Sequence, residues 1–387
     1  MAGVFLALIG GASTAAAGLV PTHQPTSVPY GTLVNPSADA SELRSALRDV
    51  GLVQITGIPG FETLRQKVLD GAATCDTWKQ THTFEDGTER KTIASRSIPN
   101  GPQPFDLPTG AACDKFAHDL VPFRALVADA TAAFSKKLTE LVGNSVATPL
   151  LATQDDHPFT TFADVVEAGE HLEHVHRYAR RVPAASNEEA EALTLDMHTD
   201  QGLFIAFTPA LTLAGGVPVP AADAADFFVG LADGSRARVA FADDALVFML
   251  GQGVEALLRP AAGAPKPTAP RFLPRATPHA LLVKPNAART RLWYGRMVLP
   301  PQDALAATGE TYAQQRAAMY AHATEAAASP SKHAGAHAAF GCDGRGATKD
   351  VHARKLQHGA PATCAEGFMY CWQYARMHRT RERTHGP

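Results

Sequence analysis

The stretch MHTDQGLFIAFTPA, residues 197–210, sets a His-x-Asp triplet directly before a short apolar run. A run of this length, closed by Thr208-Pro209, reads as a buried β-strand. The same texture continues on both sides. LEHVHRY (172–178), DFFVGLADGSRARVAF (226–241), DALVFMLG (244–251), HALLVKP (279–285) and TRLWYGRMVLP (290–300) each read as a strand or a hairpin. Asp233-Gly234 stands between two strand-like runs and is the strongest hairpin signal in the chain. Many short strands at even spacing, from about 172 to 300, predict a sandwich or jelly roll and not a parallel α/β sheet.

The flanks have a different period. Residues 18–40, rich in Pro, Ser and Thr, read as an extended lead-in. In SELRSALRDVGLVQITGIPG (41–60), Ser41 stands at a helix N-cap position and Leu43, Leu47 and Val50 repeat at helical spacing. Gly51 ends that helix, and Leu52 to Ile55 follow as a strand. Another helix is predicted from near Phe61, and 116–142 reads as a long amphipathic helix broken near Pro122, so the first 145 residues are mainly helical with one strand. The Pro-rich segment 259–275 is a loop; helical text returns at 311–328, followed by a Gly/His-rich linker around 329–362 and a last helix near 364–377. The expected organisation is a leader over 1–17, an N-terminal helical region with one strand over 27–145, a β core over 146–301 and a C-terminal helical extension over 302–387.

Composition narrows the function classes. A chain of 387 residues with 45% hydrophobic content is globular in character and has ample core. A formal net charge of −3 and a pI near 6.6 argue against a nucleic-acid binder, which carries a strong basic surplus. The basic run Arg376 to Arg383 reads as a solvated tail. MAGVFLALIGGASTAAAG, at the start, resembles a secretory leader with an Ala-x-Ala cleavage site, although no Lys or Arg precedes its apolar run. It points to the secretory pathway or the extracellular space, with the cytoplasm as the alternative. No later stretch approaches the roughly 20 apolar residues of a membrane span. The five cysteines, Cys75, Cys113, Cys342, Cys364 and Cys371, are too few for a disulfide scaffold. Cys364 and Cys371 on a continuous helix would lie about 10.5 Å apart along the axis, too far to bridge. Export would therefore pair Cys342 with one of them; in a reducing compartment all five stay free.

The chemistry gathers around the opening triplet. On an extended strand, residues two apart share a face, so His198 and Asp200 are expected to converge on one point. That is two-thirds of a 2-His-1-carboxylate facial triad, which leaves open positions on Fe(II). Alone, His-x-Asp is common and reads as a surface pair. His279 supplies a third ligand, 79 positions beyond Asp200 at the start of an apolar run. Arg291, on the next strand, is placed to hold the far end of a dicarboxylic acid in a bidentate salt bridge. His171, His174 and His176 invite a zinc reading, but no cysteine or further histidine nearby completes a tetrahedral set.

Taken in order, four stretches resemble the isopenicillin-N-synthase-like group of 2-oxoglutarate/Fe(II) dioxygenases, over roughly residues 27–301. LRSALRDVGLVQITGIPGF (43–61) is similar to the group's N-terminal helix and strand, and MHTDQGLFIAFTPA to its His-Thr-Asp strand and turn. FFVGLADGSRARVAFADDALVFMLG (227–251) is similar to its hairpin and following strand, and TRLWYGRMVLPP (290–301) to its closing Arg-x-Ser strand. The resemblance implies a double-stranded β-helix core, His198, Asp200 and His279 as iron ligands, Arg291 as the 2-oxoglutarate anchor and Tyr178 near the cosubstrate. It also implies oxidation of a small molecule by O2 with release of succinate and CO2, with ascorbate as an accessory reductant. Three positions depart from the pattern. His176 replaces an Asn, Gln252 an Asp, and Trp293 the Ser whose hydroxyl helps bind the distal carboxylate. An Fe(II) oxidase that does not use 2-oxoglutarate and a silent jelly-roll binding protein stay open as alternatives, and the sequence leaves the oligomeric state undetermined.

Overall fold

The evenly spaced strands pair into two mainly antiparallel sheets that enclose a shared core. The computed structural model describes residues 20–315 and 317, apart from 77, 79, 100, 144–149, 156–157, 182–191, 255–271, 287 and 306–308. The elements that position the site are α1 Ser41–Asp49, β1 Leu52–Thr56, α2 Phe61–Thr74, β2 Thr88–Ile98, α3 Ala111–Val142, β3 His171–Arg180 and β4 Leu195–His198. They continue with β5 Phe204–Phe207, β6 Leu211–Ala214, β7 Ala225–Gly230, β8 Arg236–Val239, β9 Leu246–Leu250, β10 His279–Val283 and β11 Arg289–Val298. The major sheet runs β1-β9-β5-β11-β3-β2, with β6 also on β11, and the minor sheet runs β8-β7-β10-β4. From β4 onward the chain passes repeatedly between the two sheets. This is a jelly roll with helical flanks.

Alternation along each strand makes two cores. Inward side chains Ile205, Phe207, Trp293 and Met297 of the major sheet meet Leu195, Val229, Leu281 and Val283 of the minor one. Outward side chains Phe204, Phe248, Leu292 and Tyr294 meet α2 and α3. There the Phe134 ring stacks on Phe248 at 4.2 Å and meets Phe204 edge-on at 5.1 Å. Burying each such ring stabilises the fold by roughly 1.5–3 kcal/mol. A buried carboxylate pins the same layer: Glu173 of β3 accepts from Arg124 of α3 and Arg296 of β11.

Several expectations change. Pro122 does not break its helix, which runs unbroken over Ala111–Val142. Its ring faces solvent, whereas Phe116, Phe123, Val127, Phe134 and Leu138 bury a continuous apolar stripe. That packing outweighs the roughly 3 kcal/mol an internal proline costs. The N-terminal region is also less helical than expected, because β2, an eleven-residue strand, lies inside it and pairs with β3 along ten positions. Ser41 is the first helical residue and not the cap; Asp39 accepts from its backbone N–H at 2.9 Å. A disulfide joins Cys75 to Cys113 and ties the end of α2 to the start of α3, so the five cysteines are not all free. The leader, the 342–371 cysteines, the basic tail and most of the C-terminal extension lie outside the described residues. Among the described residues no helix is long and apolar enough to cross a membrane.

Candidate metal centre

Pairing of β4 with β10 sets His198 directly opposite His279. Their rings lie 4.3 Å apart. β4 ends at His198, so Asp200 reaches the same point from the turn that follows and not from an extended strand. Its Oδ1 is 4.0 Å from His198 Nε2 and 3.7 Å from His279 Nε2. One ligand atom from each residue lies within 4.8 Å of the other two, and among the described residues this is the only cluster of three or more such side chains. Asp200 and His279 are buried and His198 is partly exposed, which leaves the cluster one open side.

The other ring nitrogens are committed. His198 Nδ1 lies 2.7 Å from the Asp196 carbonyl, and His279 Nδ1 lies 3.1 Å from that of Thr277. A carbonyl only accepts, so each Nδ1 carries a proton, and the lone pair of a neutral ring then lies on Nε2, on the side of Asp200. Burial, reinforced by the nearby His198, holds His279 well below the ordinary imidazole range, and therefore neutral. Two imidazoles and a carboxylate on one side of a point are the donor set that a divalent non-haem iron takes.

Residues 251–253 brace the Asp200 turn. The N–H groups of Gly251, Gln252 and Gly253 donate to Leu203, Asp200 and Gly202 carbonyls at 2.9, 2.8 and 3.0 Å. Gln252 Nε2 adds a bond to Thr199 Oγ1 at 2.5 Å. A Cβ at 251 would meet the Gly202 carbonyl oxygen at 2.3 Å, so only glycine permits this approach. Gln252, a departure from the family pattern, thus serves this brace, and two glycines directly after an apolar strand are its signal in the sequence.

A cavity is lined by Asp200 and His279, by Leu281, Phe227, Ile205, Phe207 and Met249, and by Trp293, Tyr178 and Arg291. Its walls are apolar except for Asp200, His279, Tyr178 and Arg291. Arg291 is buried, with its guanidinium carbon 6.0 Å from the Tyr178 ring and 6.0 Å from the Trp293 ring. Burial lowers it to about 10, opposed only by Tyr178; no carboxylate among the described residues offsets the cost. At neutral pH it keeps its charge and faces the cavity. Tyr178 is opposite Arg291 in the β3–β11 register.

The zinc reading of the β3 histidines fails. Both His171 ring nitrogens are engaged, by the Val166 carbonyl at 2.8 Å and the Leu299 N–H at 3.2 Å. His174 and His176 pack against each other at 4.3 Å and against Trp293, with no third ligand among the described residues.

No protein-family model matches the chain, and no curated protein matches its sequence. Solved structures do match its fold. JOX2, crystallised with 2OG, Fe and JA, superposes with a TM-score of 0.51 at 12% identity, over 78% of this chain and 86% of that one. A protein of Caulobacter crescentus assigned to the 2OG-Fe(II) oxygenase family superposes with a TM-score of 0.50 at 13% identity, over 76% of this chain and 99% of that one. The chain has the 2-oxoglutarate/Fe(II) oxygenase fold. Within that fold Asp200 and His279 of the cluster line the same cavity as Arg291.

Proposed function

We propose that this protein is a non-haem Fe(II), 2-oxoglutarate-dependent dioxygenase acting on a small molecule. One observation carries the reading: two members of a three-ligand cluster, Asp200 and His279, line a cavity together with a buried arginine that has no carboxylate partner among the described residues. When bound, iron and 2-oxoglutarate supply the oxidation, which consumes O2, releases succinate and CO2, and hydroxylates, desaturates or cyclises the substrate. The chain's own residues do the holding. His198 and His279 present Nε2 lone pairs, Asp200 presents a carboxylate oxygen, and the 251–253 brace keeps that carboxylate in place. Arg291 anchors the distal carboxylate of the cosubstrate beside Tyr178, and the apolar walls keep water out of the space between. The likeness of the four sequence stretches supports the isopenicillin-N-synthase-like subclass.

The test is to load purified protein with Fe(II), with ascorbate present, and screen a metabolite library for succinate release coupled to O2 uptake. Coupled release is expected with a subset of small molecules, and His198→Ala is expected to abolish it while leaving the fold largely intact. O2 uptake without succinate would favour an oxidase independent of 2-oxoglutarate, and iron binding with neither would favour a silent binding protein.

We also infer passage through an oxidising compartment, a reading supported by the Cys75–Cys113 bridge. Peptide mapping of protein alkylated without reduction is expected to recover that pair linked. Recovery of both cysteines alkylated from native protein would count against the inference.

A further inference from the structure

One row of side chains crosses the inner face of the major sheet. Register sets Thr212 of β6 opposite Arg291, Arg291 opposite Tyr178, and Tyr178 opposite Arg90 of β2. Directly opposed residues project from the same face, with Cβ atoms about 4.5–5.5 Å apart. Arg291 and Tyr178 line the cavity, and the sequence neighbours of Thr212, Leu211 and Leu213, pack in the opposite core against the helices. Thr212 therefore stands on the cavity side, next to Arg291, which has no carboxylate partner among the described residues.

Its hydroxyl is the anomaly. Thr212 is 1% exposed, and its Oγ1 has no hydrogen-bond partner among the described residues. The other buried threonines of this core behave normally: Thr92 bonds His176, Thr208 accepts from the Tyr294 N–H, and Thr277 donates to the Val50 carbonyl. A buried hydroxyl left without a partner weakens a fold unless a bound group engages it.

We propose that Thr212 and Arg291 together hold one carboxylate, the distal carboxylate of the five-carbon 2-oxo diacid. The guanidinium supplies the charge. The Thr212 O–H donates a hydrogen bond to the same group and selects acids long enough to reach it. This inference rests on the oxygenase reading above, and its test separates the two.

The full chain, loaded with Fe(II) under argon so that no turnover occurs, is titrated calorimetrically with 2-oxoglutarate. A parallel titration uses 2-oxobutyrate, which keeps the 2-oxo acid end and lacks the distal carboxylate. Thr212→Val is expected to weaken 2-oxoglutarate roughly ten- to a hundredfold, the value of a hydrogen bond to a charged group. The same change should leave 2-oxobutyrate within about twofold, and Thr212→Ser, which keeps the hydroxyl, should bind 2-oxoglutarate close to wild type. Ligand-free Thr212→Val is expected to melt no lower than wild type. Wild-type affinity in Thr212→Val, with affinity lost in Arg291→Gln, overturns the role of Thr212 and leaves the oxygenase reading standing. Equal losses in the Val and Ser variants also overturn it, because packing and not the hydroxyl would then matter. Failure of the wild-type chain to bind 2-oxoglutarate at all overturns the oxygenase reading and this inference together.

Discussion

Arg291 and Arg296 lie five positions apart on one strand, are both nearly buried, and meet opposite fates. Arg296 points to the helical side, where Glu173 takes one of its N–H groups and Ser97 Oγ another bond at 3.1 Å. Arg291 points to the cavity side, where aromatic faces are its only described company. Buried charge is tolerated when a partner is built in, and breaking such a pair costs about 3–5 kcal/mol. A buried charge with no built-in partner is the mark of a seat for something else. The difference separates scaffold from site on a single strand.

The largest expected effect lies on the scaffold side. Glu173→Ala strands the guanidiniums of Arg124 and Arg296 together and should cost about 3–5 kcal/mol. Urea unfolding should show this as a lower midpoint, while the molecules that stay folded bind 2-oxoglutarate normally. Equal loss of cosubstrate affinity would break the distinction between the two arginines. On the site side, Arg291→Gln should weaken 2-oxoglutarate at least a hundredfold, about 3 kcal/mol. Its ligand-free unfolding midpoint should hold or rise, since an unpaired buried charge has been removed. A destabilised Arg291→Gln protein would mean that this arginine too belongs to the scaffold.

A smaller effect sharpens the same contrast on β3. Burial pulls His171 and His174 down to about 3, and His176 well below its ordinary value, with the surrounding arginines reinforcing each shift. All three are neutral in the folded chain and take a proton only on unfolding once the pH drops below about 6.5. Their stability contribution is therefore complete above that pH and is lost as pH falls toward about 3. The loss is about 1.4 kcal/mol per pH unit for each imidazole. Denaturant midpoints measured against pH should show this slope, and His174→Leu should lower it by one proton. A midpoint independent of pH between 6.5 and 4 would mean that these rings are protonated in place.

The jelly roll was legible because apolar runs of strand length recur between turn residues, and the Asp233-Gly234 turn does close a hairpin, with Gly234 at φ 83°. The convergence of His198, Asp200 and His279 was legible because His-x-Asp and a later histidine are spaced for neighbouring strands, although Asp200 lies beyond the strand end. β2 was hidden for a physical reason. Its inner face carries Thr88, Arg90 and Thr92, all buried, so the usual apolar alternation is missing. The Cys75–Cys113 bridge depends on how two helices pack, which spacing does not encode. Arg291 and Arg296 look alike in the text; only the pleat, and what waits on each side of it, tells them apart.

The pairing of His198 with His279 has a kinetic side. The two residues are neighbours across a strand pair yet are separated by some eighty positions of chain. Closing a loop of that length costs roughly 4 kcal/mol of chain entropy before any contact compensates. Non-local pairings of this kind form late and slowly. A nascent chain that has already folded α2 and α3 thus lacks the His198–His279 half of the proposed metal site until β10 docks beside β4. In the oxygenase reading, the appearance of a metal-dependent spectroscopic signal during refolding would time the docking of β10 beside β4.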